Sequence, residues 1–259
     1  MSDVMNYAVL LAGGTGRRIT SIEIPKQYYE INEIPIIIYT LKTFIKVGSF
    51  DYIYIAVSDE FKDYVKSIIK KHINKINISK ITLVSGGKER IDSIHNVITT
   101  IDINNINDDD IIVIHDAVRP FVTEKIILDN VEGAKKYGAT VTSVPVNDTI
   151  LLSTDGDYVD RIPIRKTLFH GQSPDSFNLK TFIELEEKLT DDQKEIITGT
   201  SQVCTLNNYP IKMIEGDAIN FKITTDADLE LAEHIFQKSM AIWEASSSLN
   251  SVTLVSTTR

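Results

Sequence analysis

The sequence predicts an α/β protein: a doubly wound, mostly parallel sheet from which a β-arm projects. Two features carry this. Short apolar, β-branched runs alternate with segments of helical periodicity through the first 145 residues of the 259-residue chain. A hairpin signal then breaks the alternation before helical patterns return.

The strands expected are Tyr7–Leu11, Tyr52–Val57, Ile81–Ser85, Ile111–His115 and Ala139–Val144, each apolar enough to be buried on both faces. Between them, Ile36–Lys46, Phe61–Lys71, Ile91–Thr100 and Thr123–Tyr137 carry apolar residues at helical spacing. Pro35 precedes the first helix and Thr123 is placed to cap the last. Thr149–Ser153 and Tyr158–Ile164 flank a T-D-G-D turn and read as the arm hairpin. Helices resume at Leu179–Lys188 and Thr225–Gln237, the latter opening on a capping box with Asp228 in place of Glu. The expected organisation is one domain over residues 1–240, with the arm at about 147–175, and a Ser/Thr-rich tail over 241–259.

A formal charge of -9 and a pI near 5.1 argue against broad nucleic-acid binding, which needs a basic field. A few cations gathered in one cleft could still serve a polyphosphate. No apolar run approaches the roughly 18 residues of a membrane span, and the N-terminus lacks a basic leader, so a cytoplasmic protein is expected. Cys204 is the single cysteine and cannot form an internal disulfide, while the five histidines show no metal-ligand spacing.

In a sheet of this kind ligands bind at the carboxyl ends of the strands. The first strand runs into Ala12-Gly13-Gly14-Thr15-Gly16-Arg17-Arg18, with Pro25-Lys26-Gln27 downstream. Glycines let the backbone approach a polyphosphate and aim its N–H groups at the oxygens. The run is neither a dinucleotide fingerprint, which needs a third glycine opening a helix, nor a P-loop, which needs G-K-[ST]. Ser85-Gly86-Gly87-Lys88-Glu89-Arg90-Ile91-Asp92-Ser93 follows the third strand and His115-Asp116-Ala117-Val118-Arg119-Pro120 the fourth.

L-A-G-G-x-G-x-R with P-K-Q resembles the signature loop of nucleotidyltransferases that activate sugar phosphates, and K-Q-Y points to their cytidylyltransferase branch. The Gly86–Ser93 turn, H-D-A-x-R-P, Val146–Thr149, Arg165 with Gln172-Ser173-Pro174, and Phe221-Lys222-Ile223-Thr224 repeat the likeness in order over residues 6–238. The resemblance implies a Rossmann-like enzyme that moves CMP from CTP to a small polyol phosphate and releases pyrophosphate. By resemblance, Arg18, Lys26 and Lys222 are catalytic. Leu11, Ala12, Gly13, Gly14, Thr15, Gly16, Gly87, Lys88, Arg90 and Ser93 hold the nucleotide. Asp116, Arg119, Thr149, Arg165, Ser173 and Lys222 meet the acceptor, Asp116 also ligates Mg2+, and the arm makes a homodimer.

Arg161–Arg165, Gly171–Pro174 and the insert Leu189–Lys194 favour D-ribitol 5-phosphate as acceptor, for teichoic acid or capsule polymers, over 2-C-methyl-D-erythritol 4-phosphate of isoprenoid synthesis. Two positions depart from the family pattern: its T-P-Q reads Ser173-Pro174-Asp175, and its Thr/Ser-Asp pair reads Thr198-Gly199. A non-catalytic nucleotide-binding protein is the reading of another class, opposed by retention of Arg18, Lys26 and Lys222 together.

Overall fold

The computed structural model describes residues 4–14 and 19–238. The chain opens with β1 (Asn6–Leu11); a small ribbon of β2 (Glu30–Ile31) and β3 (Ile34–Pro35) then leads into α1 (Ile36–Val47). β4 (Tyr52–Val57), α2 (Lys62–His72), α3 (Lys75–Ile78), β5 (Ile81–Ser85), α4 (Arg90–Ile98), β6 (Ile111–Asp116) and α5 (Glu124–Tyr137) continue the alternation. β7 (Ala139–Pro145) enters the arm and β8 (Phe169–Asn178) leaves it. α6 (Leu179–Glu187), α7 (Asp191–Ile196), α8 (Gln202–Leu206) and β9 (Lys212–Glu215) precede α9, a helix over 226–238.

Seven strands form one sheet in the order β5-β4-β1-β6-β8-β7-β9. β8 alone runs against its neighbours β6 and β7; the other pairings are parallel. The mostly parallel sheet is therefore as expected. β1 lies between β4 and β6, where the winding reverses, so its carboxyl end opens into the crevice that such a reversal creates.

Apolar side chains cover both faces. Leu10, Ile55, Leu41, Phe44, Val65 and Ile127 lie in one buried layer with α1, α2 and α5, and Val9, Ile114, Ile94, Phe177, Phe182 and Val203 in the other with α4, α6 and α8. A third cluster, Ile19, Ile36, Val118, Ile223, Leu229 and Ala232, packs the start of α9 beside the crevice. Cys204 lies buried in the second layer. Among the described residues no helix is long and apolar enough to cross a membrane.

The arm differs from expectation. In place of two strands, one bridge joins Leu152 to Arg161. Side chains hold its tip: the Asp155 carboxylate accepts N–H groups of Asp157 and Tyr158, and Asp160 accepts that of Thr154. Leu151, Tyr158, Val159, Ile162 and Ile164 are all exposed along it. β8 follows as a strand the sequence did not announce.

The expected caps are present. The Thr123 hydroxyl accepts the Ile126 N–H at 3.2 Å, and Thr225 and Asp228 satisfy each other's N–H groups at the start of α9. Thr123→Ala should lower stability by about 1 kcal/mol, read as a shifted urea midpoint with unchanged slope and unchanged specific activity.

Candidate active site

Three loops meet at the carboxyl edge of the sheet. After β1 the chain is held by the Ala12 N–H, donated to the Ala56 carbonyl at 2.8 Å. The Gln27 amide then donates to the carbonyls of Ala12 and Gly14 at 2.7 and 2.8 Å, spanning the glycine loop from below. A Cβ on Gly14 would meet nothing within 4 Å, and one on Gly13 only the Gly86 backbone at 3.9 Å, so both line open space. Lys26 starts a single 3-10 turn at the same wall and is almost wholly covered. Thr15, Gly16 and Arg18, expected in the same loop, lie outside the described residues.

The second loop joins β5 to α4. Gly86 donates to the Val57 carbonyl at 2.7 Å, and Gly87 to the Ser93 hydroxyl at 2.9 Å. Gly87 admits no side chain, because a Cβ there would stand 2.1 Å from that of Asp92. Glu89 and Asp92 form a reciprocal capping box at the head of α4. The turn thus delivers Lys88 and Arg90 to the crevice, and Ser93 serves the turn itself.

The third loop follows β6, and Asp116 is its centre. Arg90 Nη1 reaches Asp116 Oδ1 at 2.5 Å, while Arg119 Nε and Lys222 Nζ reach Oδ2 at 3.1 and 3.3 Å. Burial alone would raise the Asp116 pKa; Arg90, Lys222 and Arg119 overcome this and hold it well below the usual carboxylate range. A buried relay fixes the loop. The Asp116 N–H donates to Ser173 Oγ at 3.1 Å, Ser173 contacts His115 Nδ1 at 3.0 Å, and His115 Nε2 meets the Arg119 carbonyl at 3.2 Å. A carbonyl only accepts, so Nε2 carries the proton and Nδ1 accepts from Ser173. Burial lowers the His115 pKa to about 3, which keeps this tautomer neutral through the physiological range.

Lys222 arrives from the far end of the chain by backbone pinning. Arg119 Nη1 donates to the Asn220 carbonyl at 2.8 Å, the Ile223 N–H to the Val118 carbonyl at 3.0 Å, and the Asn220 amide to the Ser173 carbonyl at 2.9 Å. The resulting cavity of about 380 Å³ is lined by Leu11, Ala12, Gly13, Gly14, Lys26, Gly87, Lys88, Arg90, Ser93, Asp116 and Lys222, all expected from the sequence. Gln27, Glu89 and Val118 also line it and had no assigned part, although Gln27 belongs to the P-K-Q motif.

The structure bears on three further expectations. Ser173 is 2% exposed and its hydroxyl is engaged by His115 and the Asp116 N–H, so in this structure it positions the loop. Asp116 has both oxygens committed to cations, and the described residues contain no group of three His, Cys, Asp or Glu able to hold a metal. A resident metal on Asp116 does not fit this arrangement. Thr149 and Arg165 are exposed on the arm and do not line this chain's own cavity; Arg165 donates to the Asn147 carbonyl at 3.0 Å.

Sequence and fold are similar to those of known proteins. The sequence model of the IspD family, 2-C-methyl-D-erythritol 4-phosphate cytidylyltransferase, matches residues 6–238. The chain belongs to this family. It is a cytidylyltransferase, an enzyme of the nucleotidyltransferase class, with CTP as its nucleotide substrate. Among solved structures, 4-diphosphocytidyl-2C-methyl-D-erythritol synthase from Anaerococcus prevotii is 25% identical with a TM-score of 0.74, over 90% of this chain and 99% of that one. The 2-C-methyl-D-erythritol 4-phosphate cytidylyltransferase of Francisella tularensis is 28% identical with a TM-score of 0.73, over 88% and 98%. The enzyme of the same name from Thermus thermophilus, at 23% identity and a TM-score of 0.68 over 89% and 98%, shares the fold.

Gly87→Ala should raise the KM for CTP by about tenfold or more, because the added methyl must push the Gly87–Asp92 turn apart. Gly14→Ala, entering open space, should leave thermal stability unchanged; steady-state kinetics and thermal unfolding of both variants check this.

Proposed function

We propose that the enzyme transfers CMP from CTP to the phosphate of 2-C-methyl-D-erythritol 4-phosphate, releasing pyrophosphate. The observation that carries the chemistry is the convergence of Lys26, Lys88, Arg90 and Lys222 on one small cavity of a chain whose net charge is -9. The family match and the named structures support this acceptor. D-ribitol 5-phosphate is the second reading, favoured by Arg161–Arg165, Gly171–Pro174 and the insert Leu189–Lys194.

The nucleophile is a phosphate monoester with a second pKa near 6, so it needs no general base. The work is to bring a dianion to the α-phosphate of CTP and to stabilise the charge that gathers there. Lys26, beside the glycine loop, serves the triphosphate, and by resemblance Arg18 has the same role. Lys222, at the opposite wall and 36% exposed at its side chain, serves the incoming phosphate. Leu11–Gly16 and the Gly87–Ser93 turn hold the nucleotide. Asp116 holds the cations in register and, with Arg119, borders the acceptor. Mg2+ would enter with CTP as part of the substrate and would neutralise part of the triphosphate charge.

The exposed apolar residues of the arm support a homodimer in which Thr149 and Arg165 reach the partner's acceptor site. A cytoplasmic location, expected from the sequence, is part of this reading.

Pyrophosphate release with CTP and Mg2+ should require 2-C-methyl-D-erythritol 4-phosphate. Release with D-ribitol 5-phosphate alone would hand the assignment to the second reading, and release with neither would refute both. Lys26→Ala should cut kcat by roughly 100-fold or more while changing CTP affinity far less, because its charge acts in the transition state. Light scattering should give a dimer; a fully active monomer would remove the arm from the acceptor site.

A further inference from the structure

Arg90 is held at two points, and only one of them belongs to the cation cluster. Its Nη1 reaches Asp116 Oδ1 at 2.5 Å, and its Nε donates to the Thr200 hydroxyl at 3.0 Å. The arginine side chain is largely buried and Thr200 wholly so. Two separated hydrogen bonds fix both the position and the tilt of a planar guanidinium, which one ion pair cannot do. Arg90 lines the cavity and Thr200 does not, so the hydroxyl acts from behind the guanidinium.

The loop that carries Thr200 is built to stay in place. Gln202 Oε1 accepts the Thr198 N–H at 2.7 Å, the Thr198 hydroxyl at 3.0 Å and the Gly199 N–H at 2.9 Å. The Gln202 N–H donates to the Gly199 carbonyl at 3.0 Å, and the Val203 N–H to the Thr200 carbonyl at 3.1 Å. Ile197 before the turn, and Val203 and Cys204 after it, are buried in the layer that holds α4 and α6. One glutamine side chain thus closes the turn and α8 anchors it, 110 positions along the chain from Arg90.

A neutral partner suits this place. A largely buried Nε–H is costly to leave unpaired. A second carboxylate would satisfy it but cancel charge that a triphosphate needs, whereas a hydroxyl satisfies it and leaves the charge. Asp116, the other partner, already divides its two oxygens among three cations.

We propose that Thr200 is a positioning residue for CTP binding, its hydroxyl orienting Arg90 towards the nucleotide without neutralising it. The inference rests on Arg90 meeting CTP and is independent of which polyol phosphate accepts CMP.

The test is a double-mutant cycle read as the Kd for CTP with Mg2+, by titration calorimetry. Thr200→Val keeps the shape of the side chain and removes the acceptor; it should weaken CTP binding about tenfold, as for loss of one hydrogen bond to a charged group. Thr200→Ser restores the hydroxyl and should bind CTP within about threefold of wild type, a rescue that a merely structural role of the methyl group would not give. Arg90→Lys keeps a positive charge but has no Nε–H to donate. It should weaken CTP binding by itself, and adding Thr200→Val to it should change the Kd by less than about twofold. An unchanged Kd in Thr200→Val, no recovery in Thr200→Ser, or the same loss in the Arg90→Lys background would overturn the proposal. Should Thr200→Val fail to fold by circular dichroism, Thr200→Ala takes its place in the same cycle. Arg90→Lys that binds CTP as tightly as wild type would remove Arg90 from the nucleotide site and end the proposal with it. Wild-type enzyme that binds no CTP would instead defeat the assigned donor.

Discussion

The site depends on one buried carboxylate. Asp116 sits at the end of an apolar central strand and binds three cations drawn from three parts of the chain: Arg90 from the head of α4, Arg119 from the next loop, and Lys222 from near the C-terminus. Three positive charges so close would repel one another in an empty cavity. A carboxylate among them makes the arrangement stable while leaving a net positive surface for phosphate oxygens. Buried ion pairs are poor contributors to stability in general, but removing one partner is expensive, about 3–5 kcal/mol. The same asymmetry gives the cluster one geometry instead of several.

Neutral groups hold the carboxylate in place. Ser173, His115 and the Arg119 carbonyl form a relay whose tautomer is fixed, so the loop does not shift with pH near neutrality. Gln27 does the equivalent for the glycine loop by binding two of its carbonyls. Catalysis by positioning needs this kind of support, since the reacting phosphates supply their own nucleophile and leaving group. The glycine-loop side is thus built largely from backbone and amide contacts within one chain.

Much of this was legible in the sequence. Apolar runs of β-branched residues marked the parallel strands because those strands are buried on both faces. The glycine turns stood out because backbone must approach other groups there, as at Gly87. β8 was hidden: Phe169–Asn178 contains Gly171, Pro174 and Asp175 and reads as loop, yet it fills the sheet centre between β6 and β7. With the strand hidden, nothing marked Ser173, expected to meet the acceptor, as an interior hydroxyl. Pairing was equally invisible, because no local pattern reveals that Asp116 meets Lys222, 106 positions away. Nor does a local pattern reveal that Arg90 and Arg119 share the same carboxylate, which leaves Asp116 a poor fit for the metal expected there. The arm was foreseen as a hairpin from its turn, but its flanks form a single bridge and expose their apolar side chains.

The central claim is that Asp116 organises the cations that make CMP transfer possible. Single-turnover transfer by Asp116→Asn, in protein whose circular dichroism matches wild type, tests it most directly. The account predicts a fall in the transfer rate of roughly 100-fold or more with CTP still bound, because the cations lose their common anchor before the transition state is reached. A rate within a few-fold of wild type would contradict it.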